Sequence, residues 1–147
     1  MNHSQQVPSR DQLLAKTGVL LIVDQITPPS GPVAKGVTPP AKERELALFI
    51  AVSDDGMVYA FNGHVDLGTG IRTSLAQIVA EELDLRMDQV HMVLGDTERA
   101  PNQGATIASA TLQIPAVPLR KAAATARRHL LQQAAQRLGG EPEALRI

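Results

Sequence analysis

The chain has 147 residues, 44% of them apolar, which is enough for one domain with a core, or one domain with a tail. Aromatic residues make up only 2% (Phe49, Tyr59 and Phe61), so the core must be aliphatic, and nucleic-acid binding by base stacking is disfavoured. The 14 basic and 15 acidic residues nearly cancel, which argues against a whole-protein electrostatic grip on nucleic acid or an anionic membrane; the lack of cysteine excludes disulfides, thiolate metal sites, iron–sulfur ligands and cysteine nucleophiles.

No stretch approaches the roughly 18 apolar residues of a membrane span. The longest run, Val19-Leu20-Leu21-Ile22-Val23, stops at Asp24. With the preceding residues 9–16 it resembles a bacterial export signal of the twin-arginine type. Asp11 stands where the second arginine belongs, so we expect a short strand or a degenerate signal, and a cytoplasmic protein. From Gln25 to Lys42 the composition shifts to Pro28, Pro29, Pro32, Pro39 and Pro40 with Gly31 and Gly36. Proline fixes φ and removes a donor, so this reads as an extended linker. Residues 1–44 are therefore expected to be a largely flexible N-terminal segment and linker, and residues 45–147 a compact module.

Within that module, residues 46–52 form an apolar run of strand length, and Ser53-Asp54-Asp55-Gly56 carries a hairpin signal. Residues 57–61 are the return strand. Gly68-Thr69-Gly70 punctuates the chain before a helix over 71–85, where Ile71, Leu75, Ile78, Val79 and Leu83 recur at helical spacing. A third strand spans 90–94, and a long helix spans 119–138 with Gly139-Gly140 as its stop. Residues 106–114 read as a helical turn that Pro115 and Pro118 separate from that helix. The order predicts an α/β (α+β) two-layer module: a small mixed sheet with a hairpin, covered on one face by two helices.

Charge is uneven: residues 43–98 carry eleven acids against Arg44, Arg72 and Arg86, whereas residues 117–138 carry five basic residues and no acid. That basic stripe reads as a solvated helix face, or as a docking surface for an acidic partner or anionic cofactor. Gly68 and Gly70 allow positive φ, and the helix start offers amide donors to an anion, with Thr69 or Thr73 adding a hydroxyl. The loop is neither a Walker loop nor a dinucleotide fingerprint. Glu81 and Glu82 read as solvated carboxylates, Asp96 as a turn or cap, and His64 with Asp66 as a weak acid–base pair. No catalytic residue and no metal ligand are assigned. His3, His64, His91 and His129 include no metal-binding pair.

Residues 63–83, Gly63-His64-Val65-Asp66-Leu67-Gly68-Thr69-Gly70-Ile71-Arg72-Thr73-Ser74-Leu75-Ala76-Gln77-Ile78-Val79-Ala80-Glu81-Glu82-Leu83, strongly resemble the molybdopterin-binding large subunit of molybdenum hydroxylases. This is the xanthine dehydrogenase and aldehyde oxidase family, and within it the likeness points to the isoquinoline 1-oxidoreductase and nicotinate dehydrogenase branch. Residues 90–97, Pro101-Asn102-Gln103-Gly104 and Leu119-Arg120-Lys121-Ala122-Ala123 agree in order and spacing, so the resemblance covers residues 46–147. It implies a bacterial oxidoreductase part using molybdopterin (molybdenum cytosine dinucleotide) to hydroxylate an aromatic N-heterocycle or aldehyde. Gly68, Thr69 and Gly70 would be its cofactor contacts, with Thr73 and Gln77 as local support. In the family the middle residue of that loop is often Gln, and Thr69 is shorter. The family's catalytic glutamate, in a Gly-x-Gly-Glu context, has no counterpart here, and Gly139-Gly140-Glu141 does not match it. The resemblance implies the opening portion of a large subunit, inactive alone. Its partners would be the remaining molybdopterin-binding polypeptide and a [2Fe–2S] subunit, and its uncovered surfaces would favour a weak homodimer. The alternative functions are a non-catalytic interaction module, and an anion or nucleotide binder using the helix start at Gly68, Thr69 and Gly70.

Overall fold

The computed structural model describes residues 8–15, 18, 20–29 and 42–145. Four strands form one sheet in the order β1 (Leu20–Ile26), β2 (Glu45–Val52), β3 (Val58–Asn62) and β4 (Val90–Leu94). β1–β2 and β2–β3 are antiparallel, and β3–β4 is parallel. A one-and-a-half-turn helix, α1 (Arg10–Ala15), precedes β1. The helix α2 (Ile71–Leu83) makes the crossover between the parallel pair, and α3 (Ala116–Leu138) follows β4. This is the expected mixed two-layer arrangement.

The hairpin turn closes between Ser53 and Met57, whose backbones bond at 2.8 Å, with the Gly56 amide donating back to the Ser53 carbonyl. Only Gly56 in this loop takes a positive φ, so the Asp-Gly signal produces a three-residue loop rather than a two-residue one. In β2 the pairing with β1 skips one residue, so that Ile22 faces Ile50 and Val23 faces Leu48. The extra residue, Phe49, is a bulge, and it shifts the alternation by one. Phe49 and Ile50 consequently both join the core beneath α2 and α3, with Val58, Ala60, Leu75, Val79, Met92, Leu119 and Ala123. Burial of these apolar side chains stabilises the layer at roughly 25 cal/mol per Å² of apolar surface removed from water. The small alanines of α3, at positions 122, 123 and 126, let that helix lie close to the sheet.

The opposite sheet face carries a smaller cluster of Leu48, Ala51, Phe61 and Val93, capped by Leu13 of α1, which is 1% exposed. The sheet thus reaches upstream of residue 45. The apolar run that resembles an export core is an edge strand, because its β-branched residues pair with the free edge of the hairpin. Most of the expected flexible linker, residues 30–41, lies outside the described residues.

Prolines 115 and 118 do not interrupt the last helix. Pro115 is its N-cap and Pro118 falls in the first turn, where backbone N–H groups have no helical acceptor, so the helix starts at Ala116 rather than near 119. α2 ends slightly earlier than its apolar pattern, at Leu83, with Asp84 in a left-handed cap. Asp84 pairs with Arg127 and Glu82 with Arg120, both across to α3. Two members of the basic stripe are therefore held internally, and Glu82 is not simply solvated. Exposed pairs of this kind contribute about 0–1 kcal/mol each.

Candidate functional site

The carboxyl ends of the parallel strands β3 and β4 open into two loops, residues 63–70 and 95–115. Ligands in open α/β sheets favour this end of the strands. A buried polar network ties the loops together. Asn62, fully buried, accepts from the His64 amide through Oδ1 (3.0 Å) and donates from Nδ2 to the Pro115 carbonyl (3.3 Å). Gln103 accepts from the Gly63 amide at 2.8 Å and donates to the same Pro115 carbonyl at 3.2 Å. The backbone at Gly63 approaches the neighbouring loop so closely that a Cβ there would overlap the Pro101 carbonyl oxygen.

Gly68, Thr69 and Gly70 lie exposed at the start of α2, as the sequence places them. Gly68 and Gly70 take φ of 87° and 75°, and a Cβ on either would meet nothing within 4 Å. Their role is thus left-handed backbone beside open space, not close packing. The amides themselves are engaged from within. Asp66 Oδ1 accepts from the Gly68 (2.9 Å) and Thr69 (3.0 Å) amides, and Oδ2 accepts from the Arg72 amide at 3.1 Å. These backbone donors, Arg72 first, hold the Asp66 carboxyl below the usual carboxylate range. Three donors of the helix start thus already serve the chain's own carboxylate, which disfavours the anion- or nucleotide-binder alternative. Thr73 and Gln77 are exposed on α2.

His64 and Asp66 do not act together. His64 is 3% exposed, with its Nδ1 at 2.8 Å from Thr111 Oγ1, whereas Asp66 points to the helix start. Asp96 caps its own turn, accepting from the Glu98 and Arg99 amides, and its pKa is lowered chiefly by the Arg99 side chain. Among the described residues no group of His, Asp and Glu could hold a metal ion.

Thr69 lines a groove of ≈ 300 Å³ between the loop that precedes α2 and residues 106–112. Its lining alternates hydroxyls (Thr69, Ser74, Thr106, Ser109, Thr111) with apolar groups such as Leu67 and Ile107. A second groove of ≈ 450 Å³ continues from Leu112 along Ser74, Gln77 and Ile78 to Arg120. Leu67 and Ile107 on the first groove and Val117 on the second stand exposed, as does Ile114 in the same loop, an apolar rim of the kind that suits an interaction surface. The helical turn expected over 106–114 is replaced by a tight turn at Ala108 and Ser109, with helical turns beginning only near Thr111. Sequence reasoning missed Asn62, Gln103, Thr106 and Thr111, whose partners lie 12 to 53 residues away. The Asp66 cap had a local signal: a carboxylate two residues before a glycine at a helix start.

Residues 17–147 match the molybdopterin cofactor-binding domain. The chain is 95% identical over all 147 residues to a nicotinate dehydrogenase subunit of Pseudomonas putida, of which it spans 12%. It is 33% identical over 98 residues, 67% of the chain, to the gamma subunit of the 6-hydroxypseudooxynicotine dehydrogenase complex of Paenarthrobacter nicotinovorans, again spanning 12% of that protein. The fold superposes on CO dehydrogenase from Oligotropha carboxidovorans with a TM-score of 0.62, covering 88% of this chain and 16% of that one at 23% identity. The mixed sheet with its two helices is thus a fold shared with a solved molybdenum-containing relative, and the chain belongs to the molybdopterin cofactor-binding domain family.

Proposed function

We propose that this chain forms one wall of the molybdopterin site in a dehydrogenase that hydroxylates an aromatic N-heterocycle of the nicotinate class. The observation that carries the reading is the 95% identity, along the whole chain, to the Pseudomonas putida nicotinate dehydrogenase subunit. Gly68, Thr69 and Gly70 are the cofactor contacts in this reading. The groove chemistry fits the group. Two glycines leave open space beside the backbone, and the Thr69, Thr106 and Ser109 hydroxyls offer hydrogen bonds to polar pterin or phosphate atoms. Because Asp66 takes the Gly68 and Thr69 amides, contact from these two residues falls to the Thr69 side chain and to van der Waals approach over the glycines. Bound molybdopterin would supply the two-electron redox centre; the residues here would orient it and shield it from water.

The chain spans about one eighth of its Pseudomonas putida relative, and in this reading it is inactive alone. Its partners are the remaining molybdopterin-binding polypeptide, which covers the exposed Leu67, Ile107 and Ile114, and a [2Fe–2S] subunit that takes the electrons. Left uncovered, the same patch gives a weak homodimer. The cell compartment is the cytoplasm, a reading supported by the use of the export-like run as strand β1; a periplasmic reporter signal would overturn it. The principal test is co-expression of this chain with the remaining polypeptide of the large subunit and the iron–sulfur subunit. The expected result is a complex that retains molybdenum through gel filtration and oxidises nicotinate. A chain that elutes alone, or turnover by the chain alone, overturns the reading.

A further inference from the structure

Residues 104–115 meet the loop before α2 at two side-chain bonds. Thr106 Oγ1 accepts from the Val65 amide at 2.9 Å, and Thr111 Oγ1 pairs with His64 Nδ1 at 2.8 Å in a buried setting. Between these two pins the chain makes a turn through Ala108 (φ 50°) and Ser109 (φ 55°), successive non-glycine residues in left-handed backbone. That conformation is disfavoured by the clash of Cβ with the following carbonyl, and it persists only where the surroundings over-determine it. The turn's own bonds, from the Ala110 amide to the Ile107 carbonyl and from the Ile114 amide to the Ala110 carbonyl, are local. They do not by themselves fix it against the neighbouring loop. Both pins reach adjacent residues, His64 and Val65, of the segment that leads to Thr69.

We infer that Thr106, Thr111 and His64 are positioning residues that strap the strained Ala108–Ser109 turn in place as the wall of the groove opposite Thr69. The importance of that wall for cofactor binding rests on the reading above, but the strap is a property of the chain alone. Replacing either pin frees the turn to relax towards right-handed backbone and changes the groove width, while the core under α2 and α3 stays intact.

The test is amide hydrogen exchange, read residue by residue by NMR on the full 147-residue chain. Thr111→Val keeps the shape and removes the hydroxyl. It should speed exchange at Ala110, Ile114 and Ala116 by about tenfold or more, in line with the loss of one buried hydrogen bond, with Phe61 and Val79 unchanged. Thr111→Ser, which restores only the hydroxyl, should return the parent rates. Thr69→Ala, which removes the candidate cofactor contact but neither pin, should leave them alone. Should Thr111→Val fail to fold, Thr106→Val probes the exposed pin in the same way. Parent-like exchange in the valine variant, or a serine variant as fast as valine, overturns the strap. Neither result depends on cofactor binding, so failure of the strap and failure of the cofactor reading are separable.

Discussion

The two ends of the sheet are built from the same four strands and differ in almost everything else. At one end, β2 returns into β3 through Asp54, Asp55 and Gly56, and α2 reaches β4 through a single 3₁₀ turn, Met87–Gln89. The connections there are short, and their donors and acceptors are matched locally, as in the bond from the Met57 amide to Asp55 Oδ1. At the other end, two long loops bury Asn62, His64 and Thr111, hold a left-handed pair at Ala108 and Ser109, and leave Leu67, Ile107 and Ile114 in water. Short turns minimise closure entropy and suffice to make a sheet. The opposite end carries long-range polar pins, backbone strain and exposed apolar surface, none of which a small sheet requires. On the proposed function, this is the end that meets the cofactor and the partner polypeptide.

The sharpest way to break this comparison is in the core common to both ends. Leu75 of α2 is 0% exposed, and Leu75→Asp would bury a carboxylate with no partner. The cost is several kcal/mol, against a total stability of roughly 5–15 kcal/mol for a domain of this size. We expect circular dichroism to report an unfolded chain at room temperature; a cooperative melt at the parent temperature would mean that α2 presents another face to the sheet.

Next in size is Gly63→Ala, which acts only at the loop end. The new methyl would overlap the Pro101 carbonyl oxygen, a backbone atom that cannot swing away as a side-chain tip can. Overpacking of this kind costs about 1–3 kcal/mol. An unfolding free energy from urea titration lowered by that amount, together with chemical-shift changes confined to residues 62–66 and 101–116, is the expected pair of results. Shifts spread evenly through the hairpin end would show that the two ends are not independent.

The same division explains what could be read from the sequence. Strands β2, β3 and β4 and helices α2 and α3 announce themselves through local periodicity, and turn chemistry located the hairpin. The family resemblance drew attention to Gly68, Thr69 and Gly70 through residues adjacent in the chain. What stayed hidden depends on distant partners. Thr111 meets His64 across 47 residues and Gln103 meets Gly63 across 40, and neither spacing has a period. The one-residue bulge at Phe49 is equally silent, since an apolar run reads the same with or without it. Leu13 of α1, buried at 1% exposure, was obscured by a sequence context that resembles an export signal.

Asp66 gives a smaller effect with a pH signature. Its folded-state pKa is lowered by the amides of Arg72, Gly68 and Thr69, so its contribution to stability is fully present above the unfolded value near 3.8 and is lost as pH falls through the lowered folded value. Asp66→Ala should therefore lower Tm at neutral pH and have a shrinking effect as the solution is taken below pH 3.8. A penalty independent of pH would assign the residue to packing rather than to the helix start.

Thr69→Ala is the smallest expected change and the most informative about the loop end. The side chain is exposed, it lines the groove, and its amide, not its hydroxyl, carries the bond to Asp66. Alanine keeps that amide and the backbone conformation accessible to it, since the left-handed positions are the flanking glycines. Stability should stay within about 0.5 kcal/mol of the parent, as for surface substitutions that touch no cap, core or network. On the proposed function, the same variant in the assembled enzyme should lower molybdenum retention, because the hydroxyl assigned to the cofactor is gone while the fold is unchanged. A destabilised chain would make Thr69 a structural part of the turn. A stable chain with parent-like molybdenum content would move the cofactor contact off this loop and onto the wall that Thr106 and Thr111 hold.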